Sequence, residues 1–246
     1  MTDLHINNVM TDLHINSDKP IIITIDGPSG AGKGTLAYRL AEHFGFELLD
    51  SGALYRIVGL MAYQAGLLDN IPDELALSDL VQSLHLSFCP NVKTQAIDIY
   101  VDKKPLLDDI RNEAVGGYAS IVAAFPKVRS ALLDLQRNIA DDKLGLVADG
   151  RDMGTVIFPH AHAKIYLTAS AQARTKRRVA QLIQAGKQAN FDDILADIIA
   201  RDERDENRSV APSRPADDAL LIDSSDKSAD LVFKEAVQFI EQKLSE

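Results

Sequence analysis

Nine consecutive residues near the start of the chain, Gly27-Pro28-Ser29-Gly30-Ala31-Gly32-Lys33-Gly34-Thr35, have the types and spacing of a phosphate cradle. The glycines let backbone N–H groups turn inward around an anion. Lys33 can reach the β- and γ-phosphates of a nucleotide, and the Thr35 hydroxyl can serve Mg²⁺. The run Ile21–Ile25 (IIITI) precedes the cradle and reads as a strand buried on both faces of a parallel sheet. A helix predicted over Leu36–Phe44 follows, and its N-terminus adds a dipole and free donors. A merely glycine-rich turn needs neither the buried strand, the helix nor the lysine.

Cations elsewhere could hold a second phosphate. Arg56 ends Asp50-Ser51-Gly52-Ala53-Leu54-Tyr55-Arg56 and lies off the apolar face made by Leu54, Ile57 and Met61, with Ser51 as the expected helix N-cap. Arg151 follows the predicted strand Leu146–Ala148 within Asp149-Gly150-Arg151-Asp152. Ligands of parallel α/β sheets bind beyond the carboxyl ends of the strands, where these groups stand. Asp149 either holds Mg²⁺ through water or orders the loop. Ile194 and Ile198 open a helical stripe that continues through Arg201, Arg204, Asp205 and Arg208. Its charged part is either a solvated, salt-bridged end or a face turned into a cleft. The phosphate cradle in the same chain favours the cleft. Arg174, Arg177 and Arg178 follow the predicted strand Ile165–Leu167 and form either a lid that adds positive charge or a solvated helix face.

These groups need a scaffold, and the chain can supply it. Phe46–Leu49 and Leu220–Ile222 complete a set of five short apolar runs separated by helical patterns, which implies βαβ units and a parallel sheet. Phe233, Ala236, Val237, Ile240 and Leu244 mark the core face of a last helix. Leu84–Cys89 and Ala96–Val101 read instead as a hairpin turning near Asn91, so about Ile71–Asn112 is expected to be an inserted subdomain. With 246 residues, 46% hydrophobic and 25% charged, the chain has the composition of a globular protein with room for one elaborated domain. Its net charge of −10 argues against non-specific binding to nucleic acid or anionic membranes. No apolar run is long enough to span a bilayer, the N-terminus lacks a signal-peptide pattern, and Cys89 is the sole cysteine. A cytoplasmic location is therefore expected. Cys89 reads as a packed small hydrophobe, and His160 and His162 as surface or structural groups. MTDLHIN occurs at Met1–Asn7 and again at Met10–Asn16, so residues 1–19 are expected to be a disordered extension with a duplicated start, Met10 being a second candidate initiator.

Several blocks together carry a resemblance. The Gly-Lys-Gly-Thr variant of the cradle resembles that of nucleoside monophosphate kinases. From about Pro20 to Leu244, the motifs IDGPSGAGKGT, LLDSGALYR, VAAFPKVR, ADGRDMGTVIFP and RDERDENRSVAP, in that order, resemble the bacterial-type cytidylate kinases. The resemblance implies a P-loop nucleoside monophosphate kinase fold over residues 20–246. That fold has a five-stranded parallel sheet flanked by helices, a small inserted antiparallel β subdomain that binds the acceptor, and a lid at about 170–190. It implies ATP-dependent phosphorylation of CMP and dCMP with Mg²⁺, by a protein without obligate partners and expected to be a monomer. Ser120, Arg129 and Asp152 match the family's cytosine-recognising positions. Ser51, Arg56, Arg151 and Arg208 match positions near the acceptor phosphate, and Arg201 and Asp205 positions near the sugar. On this reading Lys33, Arg151, Arg178 and Arg208 carry catalysis, residues 27–35 bind ATP, and Thr35 and Asp149 serve the metal. Rival readings are a kinase for UMP, AMP or a non-nucleotide metabolite, and a P-loop switch that signals through a protein partner.

Overall fold

The computed structural model describes residues 19–91, 96–106, 109–110, 112–141 and 143–246. The duplicated start and the turn after Asn91 lie outside them. The chain begins β1 (Ile21–Asp26), α1 (Lys33–Phe44), β2 (Glu47–Asp50), α2 (Ser51–Gln64) and α3 (Glu74–Ser83). Then come β3 (Leu86–Asn91), β4 (Ala96–Val101), β5 (Lys104–Pro105), α4 (Glu113–Val122) and α5 (Pro126–Asn138). The last part holds β6 (Gly145–Asp149), a π-helical turn (Met153–Ile157), β7 (Ala163–Thr168), α6 (Ala171–Gln184), α7 (Phe191–Glu206), β8 (Leu220–Asp223) and α8 (Ala229–Ser245).

All five apolar runs form one parallel sheet, in the order β2-β6-β1-β7-β8. Ile25 pairs with Asp149 on one side and Ile165 on the other, while Asp50 pairs with Asp149. The carboxyl ends of β1, β2 and β6 therefore share one edge, each finishing on an aspartate. Alternation puts Ile21, Ile23 and Ile25 on one face of the sheet, where they meet Leu36, Ala37, Leu40 and Phe44 of α1 and Val232, Ala236 and Ile240 of α8. Each such side chain contributes about 1.5–3 kcal/mol by leaving water. Gly45 stops α1 in the left-handed region (φ 69°), its N–H donating to the Ala41 carbonyl, and the Ser228 hydroxyl caps the start of α8. Together these elements pack a helical layer on one face of the sheet and fix the strand ends.

The described residues divide into two compact units: those up to Ser51 together with Leu135–Glu246, and Gly52–Asp134. In the second unit Tyr55, Val58 and Ala62 of α2 pack with Leu77 and Val81 of α3, Ala119 and Val122 of α4, and Val128 and Leu132 of α5. The same unit holds β3, β4 and β5 as a three-stranded antiparallel sheet. Cys89 falls in β3, and the expectation for its side chain lies outside the described residues. Ser51 differs from expectation. β2 runs directly into α2, so Ser51 is the first helical residue, and its hydroxyl donates to Gln136 Oε1 (2.7 Å) instead of accepting from the helix.

Candidate active site

The phosphate loop joins the end of β1 to α1 and takes its shape from its glycines. Gly27 has φ 138°, and a Cβ there would stand 2.0 Å from the Leu167 carbonyl oxygen, so no other residue fits. Gly30 and Gly32 also have positive φ, at 79° and 99°. Gly32 caps α1 without any side-chain bond, and no acidic residue stands in the first turn. The helix start thus offers its N–H groups and dipole to an external anion. Lys33, the first helical residue, is buried, donates to the Pro28 carbonyl (3.2 Å) and lies 3.6 Å from Asp149 Oδ1. Thr35 is exposed on the first turn of α1. A Cβ on Gly34 would be in contact with Asp149 Oδ2 at 3.6 Å, so this carboxylate lies against the helix start.

Two helices brace the loop. Arg174 of α6 is buried and donates to the carbonyls of Ala169 (2.9 Å) and Ser29 (3.0 Å) while pairing with Asp202 of α7. Arg177 donates to the carbonyls of Ala31 and Ser224. The solvated-face reading therefore fails for Arg174 and Arg177, whose guanidinium groups turn toward the loop. Arg178 is half-buried on the same helix. Arg201 of α7 donates to the Ser29 hydroxyl (3.3 Å).

Next to Lys33 the segment after β6 assembles the second group of charges. Arg151 Nε donates to Asp205 Oδ2 (2.9 Å), and Arg151 Nη1 to the Gly150 carbonyl (3.2 Å). α7 ends at Glu206, so Arg201 and Asp205 are helical and Arg208 follows the helix, donating to the Ala211 carbonyl (3.0 Å). Asp205 is buried, whereas Arg204, which the sequence stripe included, is exposed. One residue is a 100° turn of a helix, which is enough to carry Arg204 off the covered face. Asp152 is buried at the start of the π-helical turn.

In the second unit Arg56 donates to the carbonyls of Ile110 (2.7 Å) and Asn112 (3.0 Å). Ser120 Oγ donates to the Gly116 carbonyl (3.2 Å). Arg129 is buried, with its guanidinium 5.5 Å from the Tyr55 ring centroid. His162 Nδ1 accepts from the Ile22 N–H (3.1 Å), a structural tie between β1 and the start of β7.

Burial reshapes the titration of the strand-end charges. It pulls the Lys33 ammonium down to about 8, helped by the nearby Arg151 cation and opposed by Asp149, Asp50 and Asp26. Asp149 is pushed up to about 6 by burial, against the pull of Lys33. Burial also works against the charged form of Asp205, yet Arg151 and Arg208 bring its carboxyl below the ordinary range.

Sequence reasoning missed Asp26. Its two carboxylate oxygens accept the N–H groups of Met153 and Gly154, each at 2.8 Å, and burial pushes its carboxyl up to about 7 against those bonds. A charged residue closing an apolar strand beside the loop was the available signal.

A parallel sheet with a lysine-bearing phosphate loop at its carboxyl edge, and an acid-paired arginine beside that lysine, defines a P-loop phosphotransferase. The family model for cytidylate kinase matches residues 23–242. A cytidylate kinase of Actinobacillus succinogenes is 50% identical over 227 residues, covering 91% of this chain and 99% of its own length. One from Acinetobacter baylyi is 51% identical over 222 residues, covering 90% and 96%. One from Pasteurella multocida is 49% identical over 224 residues, covering 91% and 96%. The chain belongs to the cytidylate kinase family. Among solved structures, a shikimate kinase from Bacteroides thetaiotaomicron aligns over 92% of this chain and 99% of its own with a TM-score of 0.44 and 13% identity, and adds nothing to that assignment.

Proposed function

We infer that this protein transfers the terminal phosphoryl group of ATP to CMP and dCMP. The carrying observation is the convergence of Lys33 and Arg151. Lys33 is buried and Arg151 half-buried, close enough that, after burial, Arg151 is the largest influence lowering the lysine pKa. Such a pairing is unfavourable alone and becomes favourable when a polyanion enters. It sits where the carboxyl edge of the sheet meets the phosphate loop.

The chemistry follows from that charge. An acceptor phosphate oxygen is already anionic at neutral pH, so in-line transfer needs no strong base and no covalent enzyme intermediate. Residues 27–35 hold the phosphates of ATP through backbone donors. Lys33 and Arg151 oppose the charge on the oxygens around the transferring phosphorus, with Arg178 and Arg208 adding to the same field. Ser51 and Arg56 are assigned to the acceptor phosphate, Arg201 and Asp205 to its sugar. Asp152 accepts from the cytosine amino group while Arg129 and Ser120 donate to its acceptors, a pattern uracil does not match. A hydroxyl and carboxylates are hard oxygen donors suited to Mg²⁺, and Thr35 and Asp149, with Asp149 lying against the helix start, are the residues that would hold it. The metal would supply positive charge at the phosphate oxygens. The proposal places this activity in a cytoplasmic monomer, to be checked by light scattering.

The test is ADP formation from Mg-ATP with CMP, dCMP, UMP, AMP or no acceptor. Strong stimulation by CMP and dCMP, with little from UMP or AMP, is expected. Stimulation by another monophosphate would move the specificity. Tight ATP binding with no stimulation by any acceptor would favour the P-loop switch.

A further inference from the structure

Asp152 can read a base only if its own backbone is fixed, and that backbone is held from a distance. The peptide joining Asp152 to Met153 is bonded at both ends. Its carbonyl accepts from the N–H groups of Val156 (2.9 Å) and Ile157 (3.1 Å), and its N–H donates to Asp26 Oδ1 (2.8 Å). The next N–H, of Gly154, donates to Asp26 Oδ2 (2.8 Å). Upstream, the Gly150 N–H donates to the Ile25 carbonyl (3.0 Å). The end of β1 thus clamps the Asp152 segment on both sides, through one side chain and one backbone group.

We propose that Asp26 is a positioning residue for acceptor selectivity, its carboxylate setting the direction of the Asp152 side chain by holding the two N–H groups that follow it. The inference rests on the reading of Asp152 as the group that meets the cytosine amino group. Only a carboxylate offers two acceptors without a donor, so asparagine would set an NH₂ group against one of the two N–H groups. Close packing makes the clamp stiff. A Cβ on Gly154 would stand 2.8 Å from Thr24 Oγ1, 3.2 Å from Lys164 Cδ and 3.4 Å from Asp26 Oδ2, so the turn lies directly on β1. Thr24 Oγ1 is buried without a hydrogen-bond partner, so its removal relieves the tightest of these contacts without breaking a bond.

The experiment compares Asp26→Asn, Gly154→Ala, the double change Thr24→Ala with Gly154→Ala, and Asp152→Asn with the unaltered protein. The readouts are kcat/KM for CMP and for UMP and the Kd of ATP. Asp26→Asn is expected to lower kcat/KM for CMP by roughly 10- to 100-fold, the effect of a misplaced group about 1 Å from its working position. UMP should change far less, and the Kd of ATP should stay within about twofold, as only the acceptor side is disturbed. General destabilisation would instead move both acceptors together. Should Asp26→Asn not fold, Gly154→Ala is expected to compress the CMP-to-UMP ratio in the same way, and the added Thr24→Ala to restore it. An unchanged ratio in the folded variants, or equal losses on CMP, UMP and ATP, overturns the proposal. If Asp152→Asn compresses the ratio and neither Asp26→Asn nor Gly154→Ala does, the positioning role alone falls. If Asp152→Asn leaves the ratio unchanged, the base-reading role of Asp152 falls and the positioning role with it.

Discussion

The phosphate loop and the segment after β6 lie at the same sheet edge but are built in different ways. In the loop the path is set locally, although Arg174, Arg177 and Arg201 brace it from afar. Lys33 bonds to Pro28, five residues away, and three left-handed glycines set the path. In the segment after β6 the ties to β1 and α7 are distant. Asp26 reaches Met153 across 127 residues, and Arg151 reaches Asp205 across 54. The loop offers backbone donors that any phosphate can use, whereas the other segment offers side-chain charges that must be aimed. On the proposed reading, selectivity therefore depends on tertiary assembly, and the capacity to hold phosphate chiefly on a short stretch of chain.

The largest expected effect falls on the shared element between them. Lys33→Ala removes the cation facing both Asp149 and Arg151, and turnover should fall at least ~10²-fold, as for loss of a charge-stabilising donor. Near-normal steady-state turnover would remove Lys33 from the chemistry. Gly27→Ala tests the loop's backbone instead. A Cβ 2.0 Å from the Leu167 carbonyl, at φ 138°, should cost at least about 3 kcal/mol in denaturant unfolding. A small loss would mean that the loop adjusts without opening the β1–β7 contact.

The same contrast decides what could be read in advance. Continuous β-branched runs and the Gly-Lys-Gly-Thr block specify β1, the loop and α1 within 24 residues, Ile21 to Phe44, so the scaffold and the phosphate site are legible from local pattern. The cation candidates were visible too, because arginines after strand ends are unusual enough to notice. Their partners were not. Nothing in the neighbourhood of Asp26 points to Met153, and a π-helical turn over Met153–Ile157 has no period to detect. The N-cap expectation for Ser51 failed for a related reason, since Gln136, its partner, is 85 residues away.

A smaller and slower effect should appear in stability against pH. Asp26 titrates near 7 in the folded protein against 3.8 as a free group, so the unfolded chain binds fewer protons between these values. The contribution of Asp26 is therefore full below about pH 4 and declines as pH rises through 7. Asn at this position cannot titrate. The melting temperature of the unaltered protein minus that of Asp26→Asn should fall between pH 5 and 8, in buffers of matched ionic strength. A difference that stays flat over this range would mean that the two N–H bonds outweigh burial, and that the carboxylate is ionised throughout.

The smallest effect belongs to Arg204. It follows Arg201 by three residues and precedes Asp205 by one, so sequence spacing groups all three. The structure separates them: Arg201 donates to Ser29, Asp205 is buried against Arg151, and Arg204 is exposed. Exposed charges of this kind change stability by no more than about 0.5 kcal/mol. Arg204→Ala should leave kcat, the KM for CMP and the melting temperature close to those of the unaltered protein. Arg201→Ala, one turn away on the covered face, should raise the KM for CMP about tenfold, the loss of a charged hydrogen bond to substrate. If the two variants behave alike, the covered face of α7 is not what distinguishes them. The acceptor would then be held by long-range field more than by direct contact, and the sensitivity of both variants to added salt would separate those cases.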